Sequence, residues 1–189
     1  MQNFTELVYL GMARMQTQEE VIDMQDHLSQ ILTALIIAPS SPQEYPHAAR
    51  LFHELQSTFP DAHFSVLVEK QFAADANGRE SLHVITYDAE QIGFHGLPKK
   101  DLQEIVRTRR FDLVVDLNCE FDLVAACLCR VSSAKLRVCL QNSKRDSLYN
   151  FQVRVAEHNS IELKYDSLIK YLAIFRPLPN APAQDFIPA

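Results

Sequence analysis

Side chains suited to acid–base chemistry and polar binding cluster where buried apolar runs end. Glu44 follows the first such run, and a carboxylate there has the chemistry of a general base or a cation ligand. Further polar groups follow the fourth and fifth apolar runs. After the fifth run, Asn142, Lys144 and Arg145 have the side-chain types needed to hold an anionic group. The candidate ligand-binding residues are Ser40, Ser41, Asp116, Asn118, Glu120, Asn142, Lys144 and Arg145.

The same residues have structural interpretations that the sequence leaves open. Ser40 and Ser41 could simply close a turn, and Asp116 could help to cap the following helix through its neighbours. Two basic clusters, at residues 107–110 and at Lys144-Arg145, are typical of solvated helix ends or loops. Each candidate is therefore a hypothesis that geometry must test.

Alternating apolar runs and amphipathic stretches must position these residues. Continuous or alternating apolar runs predict strands at 34–38, 63–69, 82–87, 111–117, 135–140 and 151–155. Helical spacing predicts helices at 18–32, from Pro46 to residue 59, from Pro98 to the basic cluster at 107–110, at 120–131 and at 160–175. This order predicts an α/β fold, a Rossmann-like three-layer sandwich with a mainly parallel sheet of about six strands and helices on both faces. Ligands of such sheets bind outside the carboxyl ends of the strands, which is where the candidate residues lie.

The expected organisation is a single Rossmann-like α/β domain over residues 1–176. Its first part, residues 1–32, is interpreted as an N-terminal helical extension, and helix 18–32 is a candidate dimer interface. The tail at 177–189 is rich in proline, so we expect it to lie on the surface or to lack fixed structure.

Composition narrows the class of protein. The 189 residues carry a formal net charge of −6, which disfavours a nucleic-acid partner. With only four glycines, neither the dinucleotide-binding nor the triphosphate-binding glycine pattern can be written, so we expect no cofactor. No apolar run approaches the ~18 residues of a membrane span, and no basic leader is present, which favours a cytoplasmic protein. The four cysteines lack metal-ligand spacing, so we expect no metal and interpret them as free thiols in the core.

Three segments carry a resemblance to a known family. Residues 34–41 (ALIIAPSS) lead through a helix ending in FPDA to the strand FSVLV at 64–68. Residues 110–118 (RFDLVVDLN) and 132–138 (SSAKLRV) follow with matching strand and turn patterns. Together these segments resemble the acceptor domain of the family-nine glycosyltransferases, the lipopolysaccharide heptosyltransferases of GT-B architecture. Short bacterial proteins of unknown function that look like stand-alone halves of this fold share a segment similar to residues 96–99 (GLPK).

The departures from that family matter for function. The family places a Gly-Asp pair after the first strand, with the Asp as catalytic base, and the matching positions here are Gln43 and Glu44. The family glycine after the fifth strand is matched by Cys139. GT-B enzymes also bind the sugar-nucleotide donor in a second domain, for which these 189 residues leave no room.

The resemblance therefore implies a bacterial, non-catalytic protein with a role in binding or assembly, acting as a homodimer or beside an enzyme partner. The alternative is a minimal glycosyltransferase-like enzyme with Glu44 as base, or a protein that binds a sugar, sugar phosphate or nucleotide in cell-envelope polysaccharide metabolism.

Overall fold

A six-stranded parallel sheet lies between two helical layers in the computed structural model, which describes residues 2–16, 24–79, 81–156 and 158–174. The strands are β1 (Thr33–Ile37), β2 (His63–Glu69), β3 (Leu82–Tyr87), β4 (Leu113–Asp116), β5 (Leu136–Leu140) and β6 (Phe151–Val153). The helices are α1 (Gln2–Gln16), α2 (Met24–Ser29), α3 (Tyr45–Thr58), α4 (Ala73–Asn77), α5 (Lys100–Arg109), α6 (Leu123–Val131) and α7 (Ile161–Ile174). The strand order is β3-β2-β1-β4-β5-β6, and every neighbouring pair is parallel. The predicted Rossmann-like α/β fold is confirmed.

The central strands are buried on both faces, as their continuous apolar runs predict. Successive side chains of β1 alternate between two cores because strand residues point to opposite faces. Ala34 and Ile36 pack with α3 and α7, whereas Leu35 and Ile37 pack with α1, α5 and α6. The two helical layers therefore cover both faces of the sheet and leave its carboxyl edge for a site.

Element boundaries follow local chemistry. The predicted limits of β2 and β3 are confirmed, and β6 lies at the sheet edge as expected. The helix predicted from Pro98 begins two residues later, because Pro98 pairs with Ile92 in an isolated antiparallel bridge. The helix predicted from residue 120 begins at Leu123, since the Asp122 carboxylate accepts a hydrogen bond from the Ala125 N–H and caps it there.

The amino-terminal segments differ most from the prediction. Of the helix predicted at 18–32, residues 18–23 lie outside the described residues, and the helical part that is described, α2, ends at Ser29. Leu28 and Ile31 are buried in the core that also holds α3 and α7. The tail at 177–189 also lies outside the described residues.

Helix α1 packs against the sheet's other helical layer. Leu10 and Ala13 are buried beside α5 and α6, and the Tyr9 hydroxyl donates a hydrogen bond to the Ala126 carbonyl at 3.5 Å. Glu6 pairs with Lys144 at 2.7 Å, which ties α1 to the loop after β5. Among the described residues, no helix has both the length and the apolar character needed to cross a bilayer.

Candidate functional site at the carboxyl edge

The strand order reverses between β1 and β4, and this switch point is where open α/β sheets usually bind ligands. Glu44, at the end of the loop after β1, sends its carboxylate across this point. Its Oε2 atom accepts a hydrogen bond from the Cys119 N–H, in the loop after β4, at 2.9 Å. The crevice between the two loops is thus bridged by a side chain of the protein.

Asp116, the last residue of β4, lies in a buried polar network. Its Oδ1 atom accepts hydrogen bonds from the Asn118 main-chain N–H at 3.0 Å and the Asn118 side-chain amide at 2.7 Å. Its Oδ2 atom accepts one from the Tyr149 hydroxyl at 2.6 Å. Burial, followed by the nearby Asp116 charge, raises the pKa of Tyr149 well above its usual value, so the hydroxyl stays protonated as a donor.

Arg145 completes this network from the loop after β5. Its guanidinium donates to the carbonyls of Leu140 (3.1 Å), Asn118 (2.9 Å) and Glu120, and its Nη2 atom stands 3.8 Å from Asp116 Oδ2. Both members of the ion pair are 0% exposed. Arg145 therefore joins the loops after β4 and β5 through their main chains.

This geometry corrects the interpretation of Lys144-Arg145 as a solvated basic cluster, because Arg145 is fully buried. Asp116, expected as a site residue or an aid to capping, is also fully buried, and Asp122 is the residue whose side chain caps α6. Three predicted site residues, Asp116, Asn118 and Arg145, do come together, but inside the protein rather than at its surface.

The remaining predicted residues are spread along the edge. Ser41 accepts hydrogen bonds at its carbonyl from Glu44 and Tyr45 and closes the turn before α3, while Ser40 is half-buried. Lys144 is exposed and paired with Glu6, and its ammonium lies 5.7 Å from the centre of the Phe121 ring.

An open polar pocket lies over the ends of β4, β5 and β6, beside this network. Its volume is about 670 Å³. Two predicted residues, Glu120 and Asn142, line it. The full lining is Cys119, Glu120, Leu140, Gln141, Asn142, Ser143, Asp146, Arg154, Val155, Ala156 and Lys164. The pocket thus brings acidic, basic and amide groups to the edge at which the sequence predicts a site.

Cys119 connects the pocket wall to Glu44. Burial, then the charge of Glu44, raises the pKa of the Cys119 thiol to about 11, so the thiol is neutral at physiological pH. The other three cysteines, Cys127, Cys129 and Cys139, are buried free thiols, as predicted. Cys119 differs from the prediction because it is only half-buried and borders the pocket.

Sequence reasoning missed Arg154 and Lys164, the two basic residues of the pocket. Arg154 directly follows the edge strand β6, and Lys164 lies near the start of α7. The sequence contained a pattern that predicts the position of Arg154. Because β6 is parallel to β5, the residues that follow β6 must lie at the carboxyl edge of the sheet.

Fold and site together define the class: a Rossmann-like protein with its polar pocket at the carboxyl edge of a parallel sheet. Within that class, the chain belongs to the Family of unknown function (DUF6913), whose model matches residues 13–175. A comparison with curated proteins gives no match.

Two solved structures share the fold. The Escherichia coli heptosyltransferase WaaC with ADP has a TM-score of 0.57 and 18% identity, over 74% of this chain and 46% of that one. The Escherichia coli ADP-heptose lps heptosyltransferase II also has a TM-score of 0.57 and 18% identity, over 78% of this chain and 44% of that one. The resemblance to a transferase half-fold is thereby confirmed, and the chain spans slightly less than half the length of these enzymes.

Proposed function

We propose that this protein binds a polar, hydroxyl-rich ligand in the pocket over β4, β5 and β6 and does not itself transfer a glycosyl group. The observation that carries the proposal is the hydrogen bond from Cys119 N–H to the Glu44 carboxylate. Through this hydrogen bond, Glu44, which matches the position of the catalytic base in the family-nine glycosyltransferases, joins the loops after β1 and β4.

The pocket supports a binding role by its composition. Carboxylate and amide oxygens of Glu120, Asn142 and Asp146 can accept hydrogen bonds from ligand hydroxyls, and the cations Arg154 and Lys164 line the same pocket. Such convergent polar groups in a concave surface are the usual means of orienting a small ligand.

The second candidate function is a minimal glycosyltransferase-like enzyme with Glu44 as base. It is favoured by one observation: Glu44 is hydrogen-bonded to Cys119, a residue of the pocket wall, so its carboxylate stands at the pocket margin. A base must be within hydrogen-bond reach of the proton it removes, and the hydrogen bond from Cys119 engages only the Oε2 atom of the Glu44 carboxylate.

The variant Glu44→Gln separates the two functions. A Gln oxygen can still accept the Cys119 hydrogen bond, but the amide cannot take up a proton. The natural protein and the variant are incubated with ADP-heptose, ADP-glucose or UDP-glucose and sugar-phosphate acceptors, and nucleoside diphosphate release is followed by ³¹P NMR.

We expect no release by either protein and equal ligand-induced increases in melting temperature. Release by the natural protein that disappears in Glu44→Gln, with its melting temperature unchanged, would establish the enzyme instead. Glu104→Gln, at an exposed residue ion-paired to Arg107 on α5, is the matched control.

A further inference from the structure

The lining of the pocket over β4, β5 and β6 includes two basic residues. Arg154 is exposed and Lys164 is half-buried, and both line the pocket. Within residues 2–16, 24–79, 81–156 and 158–174, no ion pair involves either side chain. Among these residues, no carboxylate competes with a ligand for either charge.

Other basic residues near this edge are already used by the protein. Lys70 pairs with Asp88 at 3.3 Å, Lys144 pairs with Glu6, and Arg145 is buried against main-chain carbonyls. The sequence predicts that Lys144 and Arg145 bind an anionic group. In the structure, Arg154 and Lys164 are the basic residues placed to do so.

The position of Lys164 in α7 also favours the binding of an anion in the pocket. It is the fourth residue of α7, close to the helix end that carries the positive partial charge of the helix dipole. A cation placed there is repelled by that end of the helix, and a bound anion relieves the repulsion.

Two carboxylates in the same pocket limit how much negative charge a ligand can bring. Glu120 and Asp146 are both exposed pocket residues, and Asp146 accepts a hydrogen bond from Gln152 at 3.2 Å. Their carboxylates attract hydroxyl donors and repel a second anionic group. The arrangement suits a ligand with hydroxyls at one end and a single anionic group at the other.

We infer that the pocket binds a phosphorylated sugar whose phosphoryl group lies between Arg154 and Lys164 and whose hydroxyls face Glu120 and Asp146. This inference rests on the proposed binding function and specifies its ligand class. Guanidinium and ammonium groups are the usual partners of phosphoryl oxygens, and the hydrogen bonds they make are charge-assisted.

The test is a titration followed by ¹H–¹⁵N NMR, with the main-chain amides of Gln141, Asn142 and Ala156 as reporters of the pocket. The probes are glucose 1-phosphate, glucose and inorganic phosphate. We expect glucose 1-phosphate to bind about tenfold or more tightly than either fragment.

The variant R154Q/K164Q should lose about tenfold in affinity for glucose 1-phosphate while keeping its affinity for glucose. Its spectrum away from the pocket reports that it is folded. The control R109Q/K135Q makes the same change in charge at the opposite edge of the sheet, where α5 ends and β5 begins, and should bind like the natural protein.

The outcomes separate this inference from the proposed function. Equal affinities for glucose and glucose 1-phosphate at the pocket amides would overturn the phosphoryl site but keep the binding function. Inorganic phosphate bound as tightly as glucose 1-phosphate would overturn the sugar part of the inference. No shift at the pocket amides with any probe would overturn both proposals.

Discussion

At the scale of single residues, one buried ion pair organises the edge of the sheet. Asp116 sits at the end of a strand whose other residues are apolar, and its carboxylate accepts hydrogen bonds from Tyr149 and Asn118 and lies 3.8 Å from Arg145. The same guanidinium holds the main chain of two pocket-lining segments. Stability and site geometry therefore depend on one side chain, Arg145.

Arg145→Met should lower the free energy of unfolding by about 3–5 kcal/mol, because it leaves the Asp116 carboxylate buried without its cation. Urea denaturation measures the loss. Arg109→Met, at an exposed residue, should change stability by less than about 0.5 kcal/mol. The double variant Asp116→Asn with Arg145→Met should recover part of the loss, and a loss below about 1 kcal/mol for the single variant would contradict the role given to Arg145.

Cys119 reports the charge of Glu44. The raised thiol pKa of about 11 means slow alkylation by iodoacetamide at pH 8, because only the thiolate reacts. Glu44→Gln removes one cause of the shift, so the pKa of Cys119 falls and its alkylation becomes faster, as mass spectrometry of the labelled peptide would show. An unchanged rate would mean that the Glu44 carboxylate does not lie beside Cys119 in solution, and Glu104→Gln is again the control.

The residue types of the site could be predicted in part. The rule that ligands meet the carboxyl edge selected the loops of Glu44, Glu120 and Asn142, and these residues do lie at that edge. Arg145 was misjudged because its neighbours in sequence are polar, and sequence does not show which loop side chain turns inward. An Asp in a buried apolar strand does, however, need a cation nearby, because buried charges are paired. From this requirement a basic partner of Asp116 could have been predicted.

At the scale of elements, the strands could be predicted from sequence better than the short helices. Strand β2 is a long apolar run and β3 combines apolar and alternating positions, so their limits are clear in the sequence. Helix α4 has only five residues, too few to show a helical period, so the sequence does not predict it. It forms because Ala76 packs into the core beside β2 and β3.

Helix α1 is the element whose role most needs testing, since it closes one helical layer. Leu10 is 8% exposed and Leu7 is 69% exposed on the same helix. Leu10→Ala should cost about 2–3 kcal/mol in urea denaturation, and Leu7→Ala less than about 0.5 kcal/mol. Equal effects of the two substitutions would show that α1 does not pack on this domain in solution.

At the scale of the whole molecule, the chain shares a fold with slightly less than half of each heptosyltransferase. The crevice at the switch point between β1 and β4 is bridged by Glu44 and Cys119, and the open pocket lies further along, over β4 to β6. The expected homodimer or enzyme partner stays a prediction. Of the candidate interface helix at 18–32, the described Leu28 is buried against its own domain.

The most direct test of the proposed binding site is a crystal structure of the protein with glucose 1-phosphate. We predict electron density for the sugar phosphate in the pocket over β4, β5 and β6, with the phosphoryl group beside Arg154 and Lys164 and the hydrogen bond from Cys119 to Glu44 intact. Density in the crevice between β1 and β4, with the Glu44 carboxylate turned from Cys119 toward the ligand, would contradict this and favour the enzyme.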